Sequence, residues 1–420
     1  MNEPGRSPSS LSLLCLDALN FFLADVRDGL GPYLAIYLTS RRHWDPSKVG
    51  IAMAAMLVGT VAAQTPVGAL IDRTRRKRLA VAAAAALVAV GCVVMIGWPT
   101  FPVIVASQGL IGAAATVFAP AVAALSLGIV GHARLASRTG RNEAFNHAGN
   151  VVAAVLAGAA GYFLGFWAIF YLVAVMAAQS AAVVLILPER EIDHDLARGA
   201  AEEKPPGARV EGIGELFRDR RILAFVVGAV LFHFANAAML PLVGQKVTRG
   251  MEEGTSVLMS ACIITAQLVM VPVALLAGRL AESWGRKPVF LVGFAVLPIR
   301  GFLYTLTVNP YLLVGIQLLD GIGAGVFGVL SVLVVADLTR GTGRFNLTQG
   351  VLATATGLGA ALSNLVAGYV VHAGGFDAGF LFLAAIAVLG VAFYSWSMPE
   401  TRRIETVETG PPEPFEGLTA

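Results

Sequence analysis

The chain has 420 residues and a mean hydropathy of +0.73, with 56% of its residues hydrophobic and only 14% charged. About a quarter of the residues of a soluble domain are charged, so this composition excludes an ordinary soluble globule and places the chain in a bilayer. The net charge of +3 is too small to call for a nucleic-acid partner.

Crossing about 30 Å of hydrocarbon takes about 20 mostly apolar residues in a helix, which satisfies its own backbone polar groups where water is absent. Twelve such stretches are expected, at 11–38, 49–70, 79–98, 101–130, 143–165, 167–187, 222–243, 255–280, 288–308, 311–336, 347–371 and 378–398. Helix punctuation falls in the breaks: Pro99 and Pro102 in the third, Asn309 and Pro310 in the ninth, Gly374 and Gly375 in the eleventh. The expected fold is therefore an all-α membrane protein with twelve transmembrane helices in two six-helix bundles. The bundles are 1–188 and 222–400, joined by a polar linker at 189–221 that contains Pro205-Pro206 and followed by a disordered tail at 401–420. Ile213, Leu216 and Phe217 at helical spacing suggest one short interfacial helix in the linker. The first stretch is too long and too charged for a cleaved signal peptide and is expected to remain as span 1.

In span 1, Asp17, Asn20, Asp25, Arg27 and Asp28 fall within an arc of about 160° at 100° per residue. Ionisable groups inside a membrane are costly and usually functional, so this face is expected to line a pathway. Its three acids and one Arg leave an excess of negative charge suited to protons, cations or basic groups. The competing reading is that Arg27 neutralises a packing acid, and for Asp17, nearer the cytoplasmic end, the two readings are equal. Span 2 ends in Gly68-Ala-Leu-Ile-Asp72-Arg73-Thr-Arg75-Arg76-Lys77-Arg78, and span 8 ends in a related run, Gly278-Arg-Leu-Ala-Glu282-Ser-Trp-Gly285-Arg286-Lys287. The offset between the two runs is 210 residues, half the chain. Gln108-Gly109 and Asp320-Gly321 repeat at 212, and Pro188-Glu189 and Pro399-Glu400 at 211. Correspondences in one order at nearly one offset indicate a duplicated membrane protein, whose parallel halves place a site near the midplane between them.

Positively charged loops stay in the cytoplasm. One set of alternate loops collects Arg73 to Arg78, Arg134, Arg138 and Arg141, seven basic residues of the linker, Arg279, Arg286 and Lys287, while the other side holds only Arg41, Arg42, Lys48, Lys246 and Arg249. Both termini are thus expected in the cytoplasm, and the Ala- and Gly-rich composition suggests a bacterial inner membrane. Cys15, Cys92 and Cys262 are odd in number and lack CxxC spacing, so neither a disulfide nor a metal site is expected.

Further polar residues lie inside the spans. His233 and Asn236 sit one turn apart in span 7, and His titrates near neutrality. Asp320 of span 10, with Gln317 one turn before it, is expected to face Arg300 of span 9, as a structural ion pair slightly ahead of a cargo role. Gln64, Thr65, Gln108, Asn146, His147, Asn150 and Gln267 complete the inventory; such residues more often join helices than touch cargo. Gly149, Gly158, Gly161 and Gly165 are read as packing residues of span 5.

The run from Gly68 through Leu70, Asp72, Arg73, Arg76 and Lys77, with its second copy and the twelve spans, resembles the major facilitator superfamily over the whole chain to about Glu400. Arg75 stands where the family usually has Gly, and the second copy has Glu282 and Ser283 in place of the Asp-Arg pair. The resemblance implies alternating access, a central path lined by span 1, and a monomer. It also implies that Gly68, Asp72, Arg73 and Arg76, with Gly278, Glu282 and Arg286, form a conformational latch in which the acid meets a neighbouring helix N-terminus. The drug/proton antiporter branch is not matched: Val105 replaces its helix 4 Arg, and its helix 5 element lacks the proline, keeping Gly149 and Gly158. The function expected is proton-coupled export of a small molecule, driven by the proton gradient without a cofactor, with Asp25 and Asp28 as carriers. An uptake symporter or facilitator is the alternative, with a divalent metal exporter or a non-transporting receptor behind it. No nucleophile elbow, phosphate loop or metal-ligand spacing supports an enzyme.

Overall fold

The computed structural model describes residues 8–28, 30–194, 196–198, 218–248, 254–339 and 345–402. Fourteen α-helices make up most of these segments, with short 3-10 turns at Glu189–Glu191 and Leu196–Arg198. The first half holds α1 (Ser10–Asp28), α2 (Gly31–Ser40), α3 (Pro46–Arg73), α4 (Lys77–Gly97), α5 (Phe101–Ala115), α6 (Phe118–Val130), α7 (His132–Phe163) and α8 (Phe166–Ile186). The second holds α9 (Arg220–Asn236), α10 (Met239–Thr248), α11 (Thr255–Ser283), α12 (Arg286–Leu303), α13 (Pro310–Thr339) and α14 (Phe345–Ser397). The helices make twelve spans because α1–α2, α5–α6 and α9–α10 are each one broken span, whereas α14 is two spans divided at Gly375, whose φ of 83° only glycine adopts easily.

The breaks have a common cause. Proline lacks an N–H and its ring clashes with the carbonyl four residues back. Pro120 and Pro241 stand four residues after Thr116 and Ala237, where α5 and α9 stop, and Pro32 opens α2. At the α9–α10 break the freed Ala238 N–H donates to Ser363 Oγ of α14 at 2.9 Å, which satisfies a backbone group that lipid could not. By length and composition alone, eight segments of the described residues qualify as membrane spans. Spans 1, 5 and 9 fall short of that test, and the pair in α14 scores as one.

Span 5 differs from expectation. Its apolar run starts near residue 143, but α7 begins at His132, so Arg134, Arg138 and Arg141 extend the helix rather than decorate a loop. The suggested interfacial helix at Ile213, Leu216 and Phe217 and the tail beyond Arg402 lie outside the described residues.

The repeat is written into the packing. α1 packs on α7, α3 on α5 and α4 on α8; in the second half α9 packs on α14, α11 on α13 and α12 on α14. A Cβ on Gly149 would sit 2.1 Å from Phe21 O, and one on Gly359 2.4 Å from Val230 O, so a like glycine-to-backbone contact recurs 210 residues on for the glycine and 209 for its partner. The halves meet where α3 packs on α14, α7 on α11 and α2 on α10. Gly158 of α7 abuts Ser260 of α11, and Gly368 of α14 abuts Gly50 of α3. These two contacts also map onto each other, since 158 and 50 become 368 and 260 on adding 210.

Each half is stapled at the end that carries the Arg-rich loops, hereafter the basic end. Arg78 pairs with Glu189 and donates to Leu187 O. In the second half Glu400 accepts from the N–H groups of Arg286 (2.8 Å) and Lys287 (3.0 Å), capping α12. Partial burial works against the Glu400 charge, but the N–H groups of Arg402, Arg286 and Lys287 outweigh it and hold the carboxyl below the ordinary glutamate range. A lowered folded-state pKa means that this stabilisation is complete above the ordinary value of 4.5 and is lost as pH falls through the folded value. Glu400→Ala is expected to cost about 1 kcal/mol, the scale of a lost helix cap, read as a lower unfolding midpoint at neutral pH. The difference from wild type should shrink in acid.

Candidate functional site

Between the halves lies a cavity of about 310 Å³. Its first-half wall is apolar: Gly31 and Pro32 at the start of α2, and Met53, Met56 and Leu57 of α3. Its second-half wall is polar: Asn236 at the end of α9, Arg300 of α12, Asp320 of α13 and Asn364 of α14, with Leu240 and Pro241 beside them. The helical breaks put these groups there, because Gly31, Asn236 and Ala237 sit where spans 1 and 7 are interrupted.

Arg300 is the dominant charge. It is 1% exposed, its Nη1 donates to Asp320 Oδ1, and its guanidinium carbon lies 5.8 Å from the centre of the Tyr304 ring. A buried guanidinium keeps its proton and so must have an anion beside it. The expected Arg300/Asp320 pair is present, and it stands on the cavity wall rather than at the periphery. Asn236 Oδ1 is buried without a protein partner, and Asn364 Nδ2 donates to Ala360 O at 3.0 Å.

The other candidates are dispersed. Asp17 is 3% exposed and is held by Arg138 and by Arg141, whose Nη2 is 2.7 Å from Oδ2. Arg138 Nε also donates to Asn142 Oδ1 (2.8 Å), and Asn142 Nδ2 to Ser126 Oγ (2.9 Å). Asp17 thus ties α1 to the start of α7 near the basic end. Asn20 is buried and donates to Leu16 O at 2.8 Å. Asp25 and Arg27 are half-buried on α1 and are not among the described lining residues of the cavity. The side chains of Asp28, Thr65, Asp72 and Arg73 lie outside the described ones.

Gln108 is 1% exposed with its Oε1 unpartnered, and Asn150 is half-buried on α7. Gln267 Oε1 lies 3.0 Å from His147 Nδ1 and joins α11 to α7 across the halves. His233 is wedged edge-on against Phe327, ring centres 4.7 Å apart, with Nε2 buried and unpartnered. Gln317 is fully buried one turn before Asp320.

Among the expected latch residues, Gly68 has open space around it, while Arg76 and Glu282 are exposed. Gly278 approaches only Val329, at 3.9 Å. Arg286 is engaged within its own half: its Nε is 3.1 Å from Asp337 Oδ2 and its Nη1 donates to Ala281 O at 2.9 Å. Polar bridges between the halves include Tyr33 to Ser260 Oγ (2.7 Å), Ser256 Oγ to Gly158 O (3.2 Å) and His372 Nδ1 beside Asp45 Oδ1 (3.8 Å). All three lie toward the end opposite the basic one. Tyr33, Ser260 and Asn364 were missed by sequence reasoning. Asn364 sits in a polar Ser-Asn pair inside an apolar span, the same signal that marked Asn236. Among the described residues no three His, Cys, Asp or Glu side chains converge as a metal-binding group.

The sequence model of the Major Facilitator Superfamily matches residues 14–273 and 255–419. The chain belongs to the Major Facilitator Superfamily. It is similar to an uncharacterized MFS-type transporter of Mycobacterium tuberculosis, 53% identical over 391 residues in both strain CDC 1551 and strain H37Rv, covering 92% of this chain and 93% of the relative. Among solved structures it is similar to the nucleoside transporter NupG (TM-score 0.76, 16% identity, 92% of this chain and 98% of that one). A D-xylose-proton symporter also matches (TM-score 0.68, 14% identity, 93% and 98%). At these identities the structural matches speak for the fold. The chain is a transporter of this superfamily, integral to a membrane.

Proposed function

We propose that this MFS transporter moves a small molecule by alternating access, that the cavity between the halves is its binding site, and that transport is coupled to protons through Asp320. The observation that carries this reading is the Arg300–Asp320 pair on the wall of a cavity shared by both halves. Protonating Asp320 would release Arg300, so one proton changes what the cavity can hold. The basic end is taken as cytoplasmic, and the bridges of Tyr33, Ser256 and His372 at the other end then correspond to a form closed to the outside. Asp320 is the carrier in this proposal because it lines the cavity, and Asp25 and Asp28 of span 1, the carriers expected from sequence, stand as the alternative. For direction, the export expected from sequence stands beside uptake, which draws support from the similar structure described as a D-xylose-proton symporter. A monomer in the inner membrane, with both termini in the cytoplasm, completes the proposal.

The test is the cellular content of a broad panel of metabolites in cells making wild type or Asp320→Asn. Depletion of one compound by wild type alone gives export, and accumulation by wild type alone gives uptake. A compound moved equally by both proteins would remove Asp320 from the coupling.

A further inference from the structure

Resting on the reading of the cavity as the transport site, its wall also specifies a class of substrate. We propose that the cavity takes a small amphipathic carboxylate together with one proton, the substrate's carboxylate replacing that of Asp320 at the Arg300 guanidinium while Asp320 holds the proton.

The argument is one of charge count. Arg300 is 1% exposed, and a buried cation stripped of its counterion is strongly unfavourable. Among the described residues, the titratable and charged groups around Asp320 are Arg300 and Tyr304 of α12 and Cys262 of α11; the described lining residues of α2, α3, α9, α10 and α14 bring none. A cationic substrate that claimed Asp320 would strip Arg300 of its anion. A neutral substrate leaves the pair intact, and a proton arriving on Asp320 would then leave Arg300 uncompensated. An anion arriving with a proton keeps one cation, one carboxylate and one neutral acid throughout. The proton ends on an Asp320 carboxyl oxygen, the Arg300–Asp320 ion pair is exchanged for an Arg300–substrate pair, and no covalent bond is made or broken apart from that O–H. Both passengers leave together, restoring the original pair.

Shape agrees with this count. The polar groups all come from the second half, whereas Met53, Met56 and Leu57 face them from the first. A carboxylate at Arg300 therefore points its apolar remainder at α3. The volume of about 310 Å³ is that of about ten waters, which limits the substrate to a small acid. A guanidinium offers two parallel N–H groups to a carboxylate, a geometry that an ammonium cannot reproduce.

The experiment follows the unfolding midpoint of the purified full-length protein, at acidic and alkaline pH, with hexanoate, benzoate, their amides, hexylamine, a neutral amino acid or a pentose. The carboxylates should raise the midpoint, and more so in acid. Asp320→Asn, which imitates the protonated acid, should keep the response and lose its pH dependence. Arg300→Lys preserves the counter-charge and the fold but loses the fork, and should weaken the apparent carboxylate affinity by roughly tenfold or more. The inference is overturned if the carboxylates give no response, if an amide, amine, amino acid or pentose gives the larger one, or if the carboxylate response is independent of pH in wild type. Should one of the other solutes bind and be driven into vesicles by a pH gradient, the transport reading stands while the carboxylate inference falls.

Discussion

Replacing Arg300 alone with Gln is expected to lower the unfolding free energy by about 3–5 kcal/mol, the usual cost of orphaning one member of a buried ion pair. Asp320 would be left facing a cavity whose other wall is Met53, Met56 and Leu57. The double replacement Arg300→Leu with Asp320→Leu should recover most of that loss, because well-packed apolar side chains often replace a buried pair at little cost. It should recover no transport. Titration with denaturing detergent, together with uptake and efflux assays on the same preparations, separates the two effects. If the double variant were as unstable as the single one, the pair would owe its presence to packing around Tyr304, and its place on the cavity wall would be incidental.

A second large effect is expected at Gly368. A Cβ there would lie 2.7 Å from Pro46 O and 3.1 Å from Gly50 Cα, so Gly368→Val cannot be accommodated without separating α14 from α3. Overpacking of this kind costs about 1–3 kcal/mol, and here the cost falls on the contact that joins the halves. The halves should therefore part at the end holding Asp45 and His372, and transport should stop although each bundle stays folded. A single cysteine introduced at Asn364, beside Gly50, should react faster with a membrane-impermeant thiol reagent in the Gly368→Val background than in wild type. The three native cysteines are buried and give a low background. Unchanged labelling would mean that the contact is not part of the closure.

The fold was legible in the sequence because hydropathy, loop charge and the 210-residue echo all describe the same object. Apolar length marks a span whatever packs against it, so even the break at Gly375 is visible as a Gly-Gly pair. Most partners across a long sequence separation were out of reach. Asp17 and Arg138 are 121 residues apart, and nothing near either residue announces the other. The ionic face of span 1 drew attention because its charges are dense in sequence; Asp17 and Asn20 are held by protein partners, and Asp25 and Arg27 are not among the described lining residues of the cavity. The start of α7 was misplaced for a related reason. Hydropathy reports the lipid-buried part of a helix, and the first turns of α7 are polar and lie against α1 and α6. Arg300 and Asp320 were paired correctly, but that they border the space between the halves depends on how α12 and α13 tilt toward α9 and α14. No residue spacing encodes that tilt.

The interruption between α9 and α10 limits how the molecule can move. Pro241 prevents the span from becoming continuous, and the Ala238 N–H is already committed to Ser363. Straightening this elbow would mean giving up a hydrogen bond inside a dry bundle, and bending it further would mean tearing it from α14. It is therefore a locked joint. Asn236, one side of that joint, and Pro241, on the other, keep a fixed attitude to Arg300 whichever way the cavity faces, so the second-half wall travels as one carved surface. On the proposed alternating access, the mouth would open and shut by sliding that surface past α3, with this elbow unchanged.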